Sequence, residues 1–233
     1  MVICGDAVDA RALPAGRVLP AHPDRGDVDP IVDAVPVGTP GSSRIVVAGD
    51  DAALAAVLVR LLRRGRLDVA LALVPVPGSI AANVWGLPTD PDDARALALE
   101  GPARPAPLVR DDRGGVAVGR HRVTDLHGEV YADEHRVWSG DAALLEAGPD
   151  PDGSGTRVRV VGPRRLLGLR RGHEAGGAGR AVQLGCRPTT VVRDGVPDER
   201  ALTRRSWYRH TEDWWLVRPG PRDTDAPLTS GAG

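Results

Sequence analysis

The sequence predicts a chain of two lobes, an α/β lobe followed by an all-β lobe built as an antiparallel sandwich. Three observations carry this. An apolar run, Ile45-Val46-Val47-Ala48, is followed by a stretch with helical spacing and then by a second apolar run at 68–76. Strand, helix and strand in that order form a βαβ unit, which calls for a parallel sheet covered by helices. Beyond residue 103 the pattern turns to short alternating segments separated by turn residues.

Residues 1–43 are weakly patterned: MVIC reads as a short strand and PVGTPGSS as a loop. The run at 45–48 is short and β-branched, as a strand buried on both faces should be. Asp50 or Asp51 then caps a helix whose apolar positions, Leu54, Val57, Leu58, Leu61 and Leu62, keep helical spacing. DVALALVPV at 68–76 is the next strand, and TDPDDARALALEG at 89–101 is the next helix. Pro91 falls in its first turn, Asp92 and Asp93 suit the positive end of its dipole, and Gly101 lies past its end. The alternating segments follow: VAVGRHRV, GEVYAD, HRVWSG, TRVRVVG, RAVQLGC, TTVVRDG and DWWLVRP, with DDRGG, PDPDGSG and GHEAGGAG as turns. AALLEAG is a short piece of this half with a helical look. The expected division is an α/β lobe at 1–103 with a shortened N-terminal part, a β-sandwich lobe at 104–218, and a tail at 219–233 too polar and Gly/Pro-rich to pack.

Composition narrows the function classes. With 233 residues, 42% of them hydrophobic and 26% charged, the chain can bury a full core. A formal net charge of -1 gives no electrostatic case for nucleic acid. All 30 basic residues are arginine, which excludes a phosphate-binding lysine of the Walker type and a Schiff-base lysine. Cys4 and Cys186 have no metal or disulfide spacing. The opening residues lack a basic, long-apolar leader, and no stretch has the apolar length of a membrane span. A cytoplasmic protein is expected, with any membrane contact peripheral, at the inner face.

The order VVAGDDAALAAVLVRLLRRG, DVALALVPVPGSIAANVWGLP, ALALEGPARPAPLV resembles the catalytic domain of bacterial diacylglycerol kinases. That family reads GGDGT, helix, strand, a GTxND-like loop, GLP and a further helix. GEVYADEHRVWSG and GRAVQLGCRPTTVVRDGVPDERALTRRSWYRHTEDWWLVRP resemble the β-sandwich lobe of its actinobacterial members, so the likeness spans roughly residues 44–218. The resemblance implies a diacylglycerol kinase or NAD kinase-like α/β lobe before the sandwich. It implies ATP and Mg²⁺ in the interlobe cleft, and a lipid hydroxyl as the acceptor of phosphate. Gly49, Asp50, Asp51, Ala52, Gly78 and Ser79 stand at the nucleotide-binding positions, and Asp50 and Asp194 at the catalytic and metal-binding ones.

The physics of the first motif suits that role, because glycine lets backbone approach phosphate and a helix start aims amides at it. Several positions depart from the pattern. Against GGDGT the chain has Ala48, Gly49, Asp50, Asp51 and Ala52; against the GTxND-like loop it has Pro77, Gly78, Ser79 and Ile80. A carboxylate at Asp51 repels a phosphate a few ångströms away by about 1 to 4 kcal/mol unless it turns to solvent or shares the metal. Against the family's DGE, whose glutamate is the expected general base, stand Asp194, Gly195 and Val196. Valine takes no proton, and Asp198 and Glu199 are the nearby substitutes. The N-terminal NP-x-SG-type loop is echoed faintly by HPDRGDVDP.

Two functions from different classes follow: a divergent ATP-dependent lipid kinase, or an inactive relative that binds a nucleotide, a lipid or a partner. A soluble-metabolite or NAD kinase-like activity is a third. Asp50 also reads as a plain helix cap, and Arg193-Asp194-Gly195 as a hairpin turn. His121, His127 and His135, among Glu129, Asp133 and Glu134, follow no metal spacing and read as exposed strand positions. Trp207, Tyr208, Trp214 and Trp215 read as core filling in a chain without Phe rather than as a stacking platform. PRRLLGLRRGHE offers Arg164, Arg165, Arg170 and Arg171 to an anionic membrane, against the alternative of a solvated hairpin.

Overall fold

The computed structural model describes residues 2–4 and 16–220, apart from residue 154 and residues 164–172. The expected βαβ unit is present: β3 (Arg44–Gly49), α2 (Asp51–Arg63) and β4 (Ala70–Pro75) follow in chain order, and β3 and β4 pair in parallel. Strand pleating divides β3 between two cores. Ile45 and Val47 face the layer of α2, where Leu54, Val57, Leu58 and Leu61 are buried. Val46 and Ala48 face the opposite side, where α4 (Pro91–Glu100) buries Ala94 and Ala98 against Ala70, Ala72 and Val74. Small residues on both surfaces let that helix approach the sheet closely.

The full order of this sheet is β2 (Arg17–Leu19), β1 (Val2–Cys4), β3, β4, β16 (Trp214–Val217) and β5 (Ala103–Ala106). Strand β16 corrects the expectation that DWWLVRP joins the second lobe. Trp215 and Leu216 pair in parallel with Ala70 and Leu71, and β5 lies antiparallel on the other edge. Trp214 is buried and meets Trp85 edge to face, with ring centroids 5.8 Å apart. Alternation identifies a strand but not its partners, which here lie far away in sequence.

Two helices were not expected. In α1 (Arg25–Ala34), Asp24 Oδ1 accepts from the Gly26 and Asp27 amides while the Asp27 carboxylate accepts from the Asp24 amide, a full capping box. Pro30 sits inside this helix and hides its periodicity, yet Val28 and Val32 are buried. The other, α3 (Ile80–Trp85), is a six-residue helix between Gly78 and the left-handed Gly86.

The remaining strands form an antiparallel sheet, so the α/β-then-all-β order read from the sequence is the observed one. It contains β6 (Val109–Asp111), β7 (Val116–Ala117), β8 (His121–Ala132), β9 (His135–Asp150), β10 (Gly155–Val161) and β11 (Glu174–Gly179). It is completed by β12 (Ala181–Thr189), the short β13 (Val192–Arg193) and β14 (Val196–Pro197), and β15 (Leu202–Arg209). The sheet curls over itself: Val158 and Val160 of β10, Val182 and Leu184 of β12 and Trp207 of β15 share one core. AALLEAG, read as a helical piece, lies within β9, which pairs with β8 on one side and β10 on the other. The tail at 221–233 lies outside the described residues.

Candidate functional site

A cleft of about 390 Å³ between the lobes begins at Ala52, just past the turn between β3 and α2. Its walls are the start of α1, one face of α2, and the β7 and β13–β14 turns of the second sheet. Ala52, Ala55, Ala56, Val59, Val116 and Val196 give it an apolar floor. Arg25, Arg60, Arg63 and Arg193 stand around it. Arg60 is held by Asp29 through two hydrogen bonds of 2.6 and 2.8 Å, and Arg193 pairs with Asp198 at 2.6 Å.

Asp50 is the N-cap of α2. Its Oδ1 accepts from the Ala53 amide at 2.8 Å, and its Oδ2 lies 3.7 Å from His22 Nε2. Asp51 turns the other way, and not to solvent, which was one of the two escapes expected for it. Its carboxylate is buried, 7% exposed, and reaches across to the loop after β4. Oδ1 accepts from the Ser79 hydroxyl at 2.5 Å; Oδ2 accepts from the Ile80 and Ala81 amides at 2.9 and 3.0 Å. Ser79 in turn caps α3 by accepting from the Ala82 amide at 2.9 Å. Asp51 is thus the counter-charge at the head of α3, and it joins the two loops that the family resemblance assigns to the nucleotide. Burial pushes its carboxyl above the ordinary range, against the pull of these hydrogen bonds, and the charge of Asp194 adds to the rise.

Asp194 reaches the same place from the second lobe. Asp194 and Gly195 both have positive φ, 44° and 98°, so the turn between β13 and β14 is of the hairpin type that Asp-Gly favours. The turn points the carboxylate inward, where it accepts from the Val118 and Gly119 amides at 3.1 and 2.8 Å. Gly119 is the meeting point. A Cβ there would lie 3.1 Å from Asp51 Oδ2, 3.2 Å from Asp194 Oδ1 and 3.0 Å from the Ala81 nitrogen. The acids that approach each other are therefore Asp51 and Asp194, while Asp50 is engaged separately with Ala53 and His22.

His121 backs this site and overturns the expectation of an exposed strand residue. It is fully buried, with Nε2 3.5 Å from Asp194 Oδ2 and 3.3 Å from the Val116 carbonyl oxygen, and Nδ1 accepting from Trp207 Nε1 at 2.9 Å. Its place at the first residue of β8, beside the Asp194 turn, is a long-range feature that its neighbours in sequence do not announce. His127 is exposed and pairs with Asp141 at 2.5 Å, away from any metal grouping. Trp207 and Trp214 are core residues, as read from the sequence.

The other positions fall as follows. Gly49 ends β3 opposite Pro75, and Ala52 lines the cleft. Gly78 takes a left-handed φ of 83°. Val196 lines the cleft beside Asp194. Asp198 is tied to Arg193 and to the buried Arg205, and Glu199 is exposed. Among the described residues, no three His, Cys, Asp or Glu side chains gather as a metal site. No helix of the described residues is long and apolar enough to cross a membrane. Arg164, Arg165, Arg170 and Arg171 lie outside the described residues.

Comparison with solved structures identifies the architecture. A diacylglycerol kinase structure from Bacillus anthracis superposes with a TM-score of 0.64 at 12% identity, covering 94% of this chain and 96% of that one. A second Bacillus anthracis structure, described as a candidate diacylglycerol kinase, gives 0.68 at 12% identity with the same coverage. An NAD kinase from Archaeoglobus fulgidus in complex with ATP gives 0.46 at 9% identity, covering 93% of this chain and 92% of that one. No protein-family model matches the chain, and no curated protein matches its sequence. The fold is the two-lobed fold of the diacylglycerol kinase structures, a kinase-type fold on which the function is decided by the site.

Proposed function

We propose that this chain is a non-transferring protein on a diacylglycerol kinase fold, binding a ligand in the interlobe cleft without passing phosphate to an acceptor. One observation carries the reading. The hydroxyl of Ser79, at a position the resemblance gives to the nucleotide, and the neighbouring amides of Ile80 and Ala81 are taken by the carboxylate of Asp51. An anion already fills that cradle, and it belongs to the protein. Acids in and beside the cleft also hold backbone amides: Asp24 caps α1, Asp50 caps α2 and Asp194 holds Val118 and Gly119. Val196 at the expected base position cannot take a proton, and Asp198 is neutralised by two arginines.

These residues do not fit ATP and Mg²⁺ as the family resemblance would place them. A triphosphate at this turn would compete with a buried carboxylate for the same donors, and like charges a few ångströms apart repel. The apolar floor and arginine rim of the cleft fit a small amphiphilic anion, such as a nucleotide or a lipid phosphate, seated on the α2 face instead.

A second reading, a weak ATP-dependent lipid kinase, draws on the cleft's position just past the β3–α2 turn and on the approach of Asp51 to Asp194. Radiolabelled ATP with Mg²⁺ and a panel of diacylglycerols separates the two. The proposal expects no labelled lipid above the protein-free background. Labelled product that disappears in D194N would overturn it.

A further inference from the structure

Away from the cleft, a hollow of about 530 Å³ opens beside α3, between β5, the β9–β10 turn and the chain leaving β16. Two arginines face each other there. Arg218 lies over the ring of Trp85, its guanidinium carbon 5.5 Å from the centroid, and donates from Nη2 to the Pro105 carbonyl oxygen at 3.0 Å. The Arg104 side chain makes no hydrogen bond or ion pair with the described residues, and the Nε of each arginine is buried without a partner. Burial, and then the charge of Arg104, push the Arg218 guanidinium down from its ordinary range.

Several other inward-turned arginines have a carboxylate partner, while Arg120 is held by the Gly119 and Pro149 carbonyl oxygens. Arg60 is matched by Asp29, Arg66 by Asp68, and Arg205 by Asp111 and Asp198. The two acids whose charges reach Arg218 are Asp152 and Asp213, and both are already engaged, with Arg157 at 3.7 Å and Arg209 at 3.1 Å. Gly220 keeps the mouth clear, since a Cβ there would stand 3.2 Å from Arg104 Nη2. Two like charges held together on an aromatic wall, with unspent donors and with Asp152 of the lining already paired with Arg157, make a receptor for an anion of more than one charge.

We propose that Arg104 and Arg218 bind the phosphate group of a phosphorylated ligand, at a site separate from the interlobe cleft. The fork of Arg104 and the free edge of Arg218 supply the donors, and Trp85 and Pro105 supply an apolar wall for the rest of the ligand. The site does not depend on whether the cleft transfers phosphate.

Isothermal titration of the full chain with pyrophosphate, at low ionic strength, tests it. The wild type should bind, and R104Q and R218Q should each lose about tenfold or more in affinity. R104K keeps the charge but not the fork, so it should fall between R104Q and the wild type. Circular dichroism confirms that each variant is folded, and R104Q removes a side chain with no hydrogen bond to lose. Flotation with phosphatidate vesicles, against phosphatidylcholine alone, gives the source. Arg104-dependent flotation assigns the phosphate to a lipid headgroup, and pyrophosphate binding without flotation assigns it to a soluble molecule. Absence of binding by the wild type to either probe overturns the proposal. So does binding that survives R104Q and R218Q, or that is lost in R63Q of the main cleft instead.

Discussion

The first residue of α2 caps α3: Asp51 Oδ1 accepts from the Ser79 hydroxyl at 2.5 Å, while Oδ2 holds the Ile80 and Ala81 amides. One side chain thus satisfies three donors that would otherwise be buried and unpaired. Leaving a buried donor unmet costs about 1 to 3 kcal/mol. Asp51→Ala should therefore lower stability by about 2 to 4 kcal/mol, since local relaxation and water recover part of the total. Urea unfolding reads this directly. A loss within the noise of a surface substitution would mean that the clip does not hold the two loops together.

Asp51 also gives stability a definite pH dependence. Desolvation raises its carboxyl above the ordinary value of 3.8, so the folded chain holds that proton more readily than the unfolded chain. With more protons bound in the folded state, the contribution of Asp51 to stability falls as pH rises through the window above 3.8. It is most favourable below that value and levels off once pH exceeds the raised one. Asp51→Asn cannot titrate and serves as the reference. Measured from neutral pH down to about 4, the stability of the wild type relative to D51N should increase. A difference that stays flat or shrinks on acidification would contradict the raised carboxyl.

Arg205 is fully buried, with its guanidinium between Asp111, whose Oδ2 is 3.2 Å away, and Asp198. Taking away the cation leaves Asp111 buried with the Arg113 and Gly115 amides and, as its nearest remaining cation, Arg193 at 4.0 Å. Removing one partner of a buried ion pair costs about 3 to 5 kcal/mol, although the intact pair adds little over an apolar replacement. Arg205→Met should therefore destabilise by about that amount, and adding Asp111→Asn should recover part of it. Denaturant unfolding of the single and double variants decides this, and a simple sum of two losses would reject the coupling.

The first lobe was legible because β3, α2 and β4 are consecutive and buried, so periodicity and helix caps carry their information locally. Residues that act across the sequence were not. Asp51 looks like a misfit in a phosphate turn until Ser79 and the α3 amides are seen opposite it. His121 looks like an ordinary alternating position until Trp207 and Asp194 close on either side. Strand β16 reads as one more segment of the second lobe because its partner, β4, lies in the first. Pro30 concealed α1, whose capping box rests on two aspartates three residues apart rather than on the usual Ser and Glu. Asp194 was legible as a turn, and the turn is there. Only the fold shows that it directs a carboxylate at the neighbouring lobe.

The Trp207–His121–Asp194 chain yields the most specific spectroscopic expectation. Trp207 Nε1 can only donate, so His121 Nδ1 must accept at 2.9 Å. The proton of the neutral ring therefore sits on Nε2, facing the Val116 carbonyl oxygen at 3.3 Å and Asp194 Oδ2 at 3.5 Å. The indole thus sets the tautomer, and the tautomer aims a donor at the acid of the hairpin turn. Nitrogen-15 spectra of the neutral His121 ring should show the Nε2–H tautomer alone. Trp207→Phe removes the only donor to Nδ1 among the described residues and leaves that nitrogen buried and unmet, at a cost of about 1 to 3 kcal/mol from the hydrogen bond. It should also admit the Nδ1–H form, whose bare Nε2 would face two acceptors at once. A wild-type ring in the Nδ1–H form, or a ring unchanged by W207F, would sever the link between the core tryptophan and Asp194.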